Sequence, residues 1–311
     1  MAEAPAISVI LPTRNRAGLL PRAIGSVLAQ RFRDLELIVV DDASSDDTPA
    51  LLAQLDDPRL RVLRRERNSG AAAARNAGLA LARGRYVAFQ DDDDFWLLGK
   101  LQAQWDCLQA RAARWCLAPY LRLEDDGRAS YIGGAWYASQ LDYRRGVGEE
   151  GPNWSLIATP GWLVERTLIQ SLGGFDERIR SWDDWELGLR LWRQTRPEVL
   201  DEPLWVQDWL RGSGLTRAER VRANDLQLIV EKHADLWADC PAVQAQHAYV
   251  IGRILSLYDP APAGRRELWQ SLRARPTRAL DWLALAMSYL GPARAQRLTA
   301  GLRRFKKRWR T

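Results

Sequence analysis

At 311 residues the chain has room for one large domain or two smaller ones and for a sizeable core. Hydrophobic residues at 47% and charged residues at 27% exclude a wholly disordered, collagen-like or low-complexity polymer. Three cysteines without a CxxC pair suggest neither a disulfide framework nor a structural zinc site. Two histidines rule out a three-histidine centre, so a catalytic metal would rest on carboxylates, as Mg2+ or Mn2+ does.

In chain order, Ile7 to Leu11 reads as a first strand, and after PTRNR the spacing of Leu20, Ile24, Val27 and Leu28 sets one apolar stripe on a helix. Leu35 to Val40 is a second strand, closed by DDASSDDTP, where Asp and Ser suit a helix cap and Pro49 falls in the first turn. Arg61 to Leu63 is a weaker third strand. Asn68, Ser69 and Gly70 then turn into the alanine-rich helix AAAARNAGLALARG, and Tyr86 to Phe89 is a fourth strand running into Asp91 to Asp94. Repeated strand-helix-strand order predicts a parallel, helix-covered sheet, whose ligands collect outside the carboxyl ends of the strands, where Asp41, Asp42 and the acidic run fall. The pattern from 110 to 210 is mixed, with a helix expected from Trp182 to Arg193, and beyond Leu215 the signals are mostly helical.

Four consecutive aspartates repel one another unless a cation neutralises them. In an extended segment Asp91 and Asp93 would share one face and could bind metal, with Asp92 pointing away; a solvated acidic turn is the other reading. Gly146, Gly148 and Gly151 satisfy GxGxxG, but Glu149 and Glu150 would repel a pyrophosphate there.

Four blocks, SVILPTRNR, ELIVVDDASSDDT, NSGAAAARNAGLALARGRYVAFQDDDDFW and LGGFDERIRSWDDWELGLRL, resemble in order and spacing the motifs of the family 2 glycosyltransferases, over residues 6 to 215. The resemblance implies a GT-A fold, an α/β, Rossmann-like, mostly parallel sheet. It implies a glycosyltransferase domain at 1–215, with a nucleotide-binding half at 1–100 and an acceptor half at 101–215, followed by a helical region at 216–311. It also implies an inverting, metal-dependent transfer from a nucleoside-diphosphate sugar, UDP-linked, to an acceptor hydroxyl in bacterial surface polysaccharide or glycolipid assembly.

By the same resemblance Asp91 and Asp93 hold the metal and contact the donor, with Asp92 the alternative ligand because the run can be framed two ways. Asp42 meets the nucleotide base, and Arg75 of ARN lines the nucleotide site. Pro12 and Arg14 lie on the exit loop of the first strand, Arg14 where the family usually shows an aromatic residue. Asp184 of WDDWE matches the catalytic base, and Asp183 replaces the usual glutamate; an ordinary helix N-terminus is the bland alternative. Arg211 resembles a basic position facing the diphosphate. Trp182 and Trp185 flank the base on the acceptor side, as aromatic faces for a sugar or as core.

The net charge of +6 is uneven: residues 241 to 311 hold 14 Lys/Arg against 3 Asp/Glu, and residues 1 to 240 hold 31 against 36. In the tail Leu302, Phe305 and Trp309 interleave with six cations. That pattern fits an anionic membrane surface or a solvated tail, with nucleic acid as a lesser reading that is not expected here. No signal peptide and no 18-residue apolar run are evident, so a cytoplasmic protein, peripheral on the inner face of the membrane, is expected. Trp282 to Leu290 is too short to cross a bilayer and reads as a buried or interfacial helix. Other activities remain open: a catalytically silent GT-A scaffold, or a nucleotidyltransferase, which would release pyrophosphate.

Overall fold

The computed structural model describes residues 4–124, 127–133, 147–148, 151–152, 158–208, 219–258 and 263–298. The chain divides into two compact units, Met1–Leu141 with Trp154–Gly214, and Asp142–Asn153 with Leu215–Thr311. Arg211, Gly146 of the GxGxxG match and the basic tail 302–311 lie outside the described residues.

The first unit opens with β1 (Ile7–Thr13), α1 (Leu20–Leu28), β2 (Leu35–Asp41), α2 (Thr48–Ala53), β3 (Leu60–Arg64), α3 (Ala71–Leu81) and β4 (Tyr86–Phe89). It continues through β5 (Phe95–Trp96), α4 (Lys100–Arg111), β6 (Trp115–Leu117), β7 (Tyr120–Leu123) and β8 (Ala129–Ile132). After β9 (Val147–Gly148) and β10 (Gly151–Pro152), which pair in the second unit, come β11 (Trp162–Glu165), α5 (Arg166–Ser171), α6 (Asp183–Gln194), β12 (Glu198–Val199) and β13 (Trp205–Asp208).

Seven strands form the main sheet in the order β12-β6-β11-β4-β1-β2-β3. All pairs are parallel except those of β11, which runs against both β4 and β6. Strands β1, β2 and β4 are buried along their whole length, as expected of near-continuous apolar runs covered on both faces. One face packs Ile7, Val9 and Leu11 against α1 and α4; the other packs Ile10, Ile38 and Val40 with α3 and with Leu187 and Leu191 of α6. Trp115 and Trp162 are fully buried in that second layer, ring centroids 5.5 Å apart, so Trp162 is a core residue. A Cβ at Gly78 would come within 2.5 Å of Ile10, which is why α3 lies so close on the sheet. A second sheet, β5-β13-β7-β8, sets Asp208 beside the end of β4.

Glu36 is a buried carboxylate within β2. Burial opposes its ionisation, but hydrogen bonds from Ser8 (2.7 Å), the Arg83 amide (2.9 Å) and the Arg61 and Arg83 guanidinium groups hold its carboxyl below the ordinary value. Glu36→Ala is expected to cost about 2 kcal/mol in urea denaturation, because the buried Ser8 hydroxyl and the Arg61 and Arg83 guanidinium groups lose their acceptor. A depressed carboxyl stabilises the fold above its unfolded value. The deficit of the variant should therefore be full at neutral pH and shrink as the pH falls below the ordinary glutamate value of 4.5.

The second unit holds the helices α7 (Glu219–Lys232), α8 (Pro241–Tyr258), α9 (Ala263–Ala274) and α10 (Ala279–Ser288). Gly252 and Gly264 let α8 and α9 touch, since a Cβ on either would meet the backbone of the other. Among the described residues no helix is long and apolar enough to cross a membrane.

Candidate active site

The carboxyl ends of β1, β2 and β4 converge on one group of loops. Asn15, in the left-handed region at φ 54°, accepts from the Ser45 amide (2.7 Å), while its own amide donates to the Ser44 hydroxyl (2.9 Å); the exit loops of β1 and β2 are thereby tied together. Asp46, one residue before the helix-capping position of α2, accepts from the Thr48 amide at 3.0 Å. Pro12 is buried at the end of β1, and Arg14 is exposed on the loop after it.

Asp42 is almost fully buried. Its carboxylate accepts from the amides of Ser69 (3.0 Å) and Gly70 (2.8 Å) and from Arg65 (3.0 Å). It therefore fixes the turn that opens α3, with Gly70 at φ 92°, a backbone that only glycine adopts without strain.

The acidic run departs from the extended segment expected of it. The strand stops at Phe89, and Asp91 to Asp94 form a turn, the Asp94 amide approaching the Asp91 carbonyl at 3.3 Å. Alternation then no longer applies. Asp91 turns to Arg75 (2.7 Å), while Asp92 and Asp93 both face Arg16, at 3.8 and 3.9 Å. Asp92 also accepts from Thr13 (2.8 Å). Asp94 is buried and accepts from the Asp208 amide at 3.1 Å, and Arg22 joins Asp208 (2.6 Å) to the Asp93 carbonyl (2.7 Å).

Charge is disfavoured along this turn. Burial, and then the charge on Asp93, push Asp92 up to about 7; burial and Asp91 raise Asp93; burial and Asp93 raise Asp94 well above the carboxylate range. Added cationic charge would relieve all three.

Arg75 joins the two halves of the site. Its guanidinium donates to Asp91 at 2.7 Å and to Asp183, at the start of α6, at 2.6 Å. Burial opposes the cation, but Asp183 and Asp91 hold it above its ordinary value. The next residue, Asn76, binds the Phe175 amide (2.8 Å) and carbonyl (2.9 Å), and Gly174 at φ 72° gives the close approach, since a Cβ there would lie 2.5 Å from the Asn76 oxygen. Arg190 of α6 donates to the Leu172 and Gly174 carbonyls and pairs with Glu186, locking α6 against the same glycine turn.

Trp182 precedes α6 at φ 83°, a left-handed backbone that costs a bulky residue about 1–2 kcal/mol and sets the sharp entry to the helix. Trp182 and Trp185 are both buried. Asp184 is half-buried, with one oxygen on the Trp185 amide at 2.7 Å; burial, and then Asp183, push its carboxyl up to about 7 against the pull of Arg75.

The structure brings Asp91, Arg75, Asp183 and Asp184 together, with Asp92 and Asp93 on the same turn beside Arg16. Arg16, Thr13, Arg22 and Asp208 complete the group. Their signal in the sequence is only a polar or charged residue near a strand end or in the first turn of α1, without a partner to point to. Among the described residues no set of three or more His, Cys, Asp or Glu side chains is arranged to hold an ion unaided. The hard oxygens of Asp91 and Asp93 nevertheless match what Mg2+ takes from a protein when substrate phosphates supply the remaining ligands.

A mostly parallel, helix-covered sheet with an acidic turn at its carboxyl edge defines an open-sheet α/β class. The family model described as "Glycosyl transferase family 2" matches residues 8–173, just over half of the chain, and the chain belongs to that family. Among curated relatives, the UDP-Glc:alpha-D-GlcNAc-diphosphoundecaprenol beta-1,3-glucosyltransferase WfgD of Escherichia coli is 42% identical over 98 residues, covering 32% of this chain and 39% of that protein. The succinoglycan biosynthesis protein ExoO of Rhizobium meliloti is 46% identical over 92 residues, 30% of this chain and 26% of that one. The matched part is thus less than half of either relative's length. Among solved structures, S. aureus TarS 1-349 in complex with UDP-GlcNAc superposes with a TM-score of 0.64 at 19% identity, covering 91% of this chain and 90% of that one. The mannosyltransferase PcManGT from Pyrobaculum calidifontis, in complex with GDP-Man and Mn2+, gives 0.59 at 19% identity, covering 93% and 81%. These two likenesses establish the GT-A fold.

Proposed function

We propose that the chain is an inverting glycosyltransferase that moves a sugar from a nucleoside diphosphate, UDP in the first instance, to an acceptor hydroxyl in bacterial surface polysaccharide or glycolipid synthesis. The observation that carries this reading is the Arg75 bridge, which places an acidic, cation-seeking turn next to a carboxyl poised near neutrality. The TarS complex and the lipid-linked acceptor in the name of WfgD support the donor and acceptor classes.

Asp91 and Asp93 would hold Mn2+ or Mg2+ against the donor diphosphate, where the ion supplies charge for the leaving group. Arg16, already beside Asp92 and Asp93, adds a second cation there. Asp184 takes the proton of the acceptor hydroxyl as its oxygen attacks the anomeric carbon; the bond from that carbon to the diphosphate oxygen breaks, and its electron pair leaves with the nucleoside diphosphate. No covalent sugar intermediate forms, so one displacement inverts the anomeric centre. Asp183, neutralised by Arg75, positions α6, and Trp182 and Trp185 wall the acceptor side. Pro12 and Arg14 border the nucleotide. Asp42, its oxygens already engaged, acts on the base by fixing the Ser69–Gly70 turn. The same reading sets the reaction on the cytoplasmic side, at the inner face of the membrane.

The test is a panel of nucleotide sugars with Mn2+, read by thermal shift and by the product released. A raised melting temperature with one donor, and release of its nucleoside diphosphate, is the expected result. Pyrophosphate release would mark a nucleotidyltransferase, and silence across the panel a scaffold. Asp93→Ala should remove the Mn2+-dependent part of the shift.

A further inference from the structure

Helix α10 is built inside out. Its buried face carries Asp281 and Ser288 with Ala284 and Leu285, while Leu280, Trp282, Leu283, Tyr289 and Leu290, on the helix and just beyond it, are 41–60% exposed. Asp281 is the only charged residue between Ala279 and Ala293, and it is consumed internally by Ser271, Arg275 (3.0 Å) and Arg278 (3.2 Å). The outward surface from 279 to 290 is therefore wholly uncharged. A helix stabilised by a core inside and water outside shows the reverse order.

The surroundings are cationic. On α9, Arg266, Trp269 and Arg273 are exposed and recur at spacings of three and four, so they share one face, and the Trp269 ring meets Trp282 edge-on at 6.0 Å. Arg265 lies 4.4 Å over the Tyr289 ring, and Arg294, Arg297 and Leu298 follow on the surface. Residues 263–298 hold seven arginines and two acids, of which Asp281 is buried and Glu267 half-buried.

We infer that this face of α10, with its arginine rim from α9 and residues 294–297, docks on an anionic lipid surface. The chemistry selects that occupant over the others. Leucine, tryptophan and tyrosine side chains at this density seat in the boundary between acyl chains and headgroups, and the arginines around them meet lipid phosphates. A second copy of the chain would bring two arginine rims together, and a nucleic acid offers nothing to Leu280, Leu283 and Leu290. The span is one short helix, so it lies in the interface and does not cross it. The inference is independent of the glycosyltransferase reading and of the tail at 302–311.

The experiment is vesicle co-sedimentation of the full chain with phosphatidylcholine alone and with phosphatidylcholine and phosphatidylglycerol in equal parts. Binding to the mixed vesicles alone is expected. Leu280→Glu with Leu283→Glu, both at exposed positions, should weaken it about a hundredfold, and Arg294→Gln with Arg297→Gln about tenfold, with unchanged circular dichroism and thermal unfolding. Deleting 302–311 should leave the effect of the glutamate pair in place. Equal binding of the glutamate variant and the native chain, or no binding of the native chain, would overturn the proposal. So would native self-association that the glutamate pair abolishes without any vesicle binding. Nucleotide-sugar binding, measured in parallel, should be untouched by these variants, so a failure here and a failure of the enzymatic reading are told apart.

Discussion

Asp184→Asn should lower kcat by about 10³ while donor affinity changes no more than a few fold, because an amide keeps the shape at the start of α6 but cannot accept the acceptor's proton. The pH profile supplies a second check. Burial and Asp183 raise the Asp184 carboxyl to about 7, and a base works only when deprotonated. Activity of the native chain should therefore fall as the pH drops through about 7 and level off above it. The asparagine variant should retain a small residual rate without that limb. A kcat that survives Asp184→Asn would remove Asp184 from the reaction and shift attention to Asp183.

Arg75→Met is the substitution with the largest expected effect on stability. It leaves Asp183 buried without its cation and frees Asp91, a loss of about 3–5 kcal/mol by analogy with other buried pairs broken on one side. In thermal unfolding this corresponds to a drop of about 10 °C for a unit of this size. Adding Asp183→Asn should recover part of it, since the second change removes the stranded charge. If the double variant is as unstable as the sum of its parts, the two side chains are not coupled and the bridge between the halves of the site is wrong.

The parallel half of the fold was legible because its strands are buried on both faces. ISVIL, LELIVV and YVAF read as strands from apolar continuity alone, and helix α6 began within one residue of the expected place. The second half was not, for a reason of distance. That β11 would run antiparallel between β4 and β6 depends on pairings with residues far away in sequence, which no local periodicity records. The site shows the same division. The aspartates at the strand end and at the start of α6 announced themselves by composition, but the turn at Asp91 to Asp94 engages Arg75, Arg16 and the Asp208 amide, partners remote in sequence that no local pattern records. Arg22 and Asp208 are 186 positions apart and meet only in the folded chain. The stretch from Trp282 to Leu290 was visible as apolar, yet whether it faced the interior or the outside was decided by Asp281, whose partners lie on α9 and the turn that follows it.

The reversed strand also bears on how the chain is made. A ribosome that has delivered the first hundred residues has delivered β1 to β4 and a bare edge along β4. The segment that covers it, β11, emerges about seventy residues later, several seconds at ordinary rates of synthesis. During that interval the row of unpaired Tyr86–Phe89 amides and carbonyls is open to any neighbouring strand, so crowded expression should favour aggregates seeded at this edge, and slower translation or a holding chaperone should raise the soluble yield.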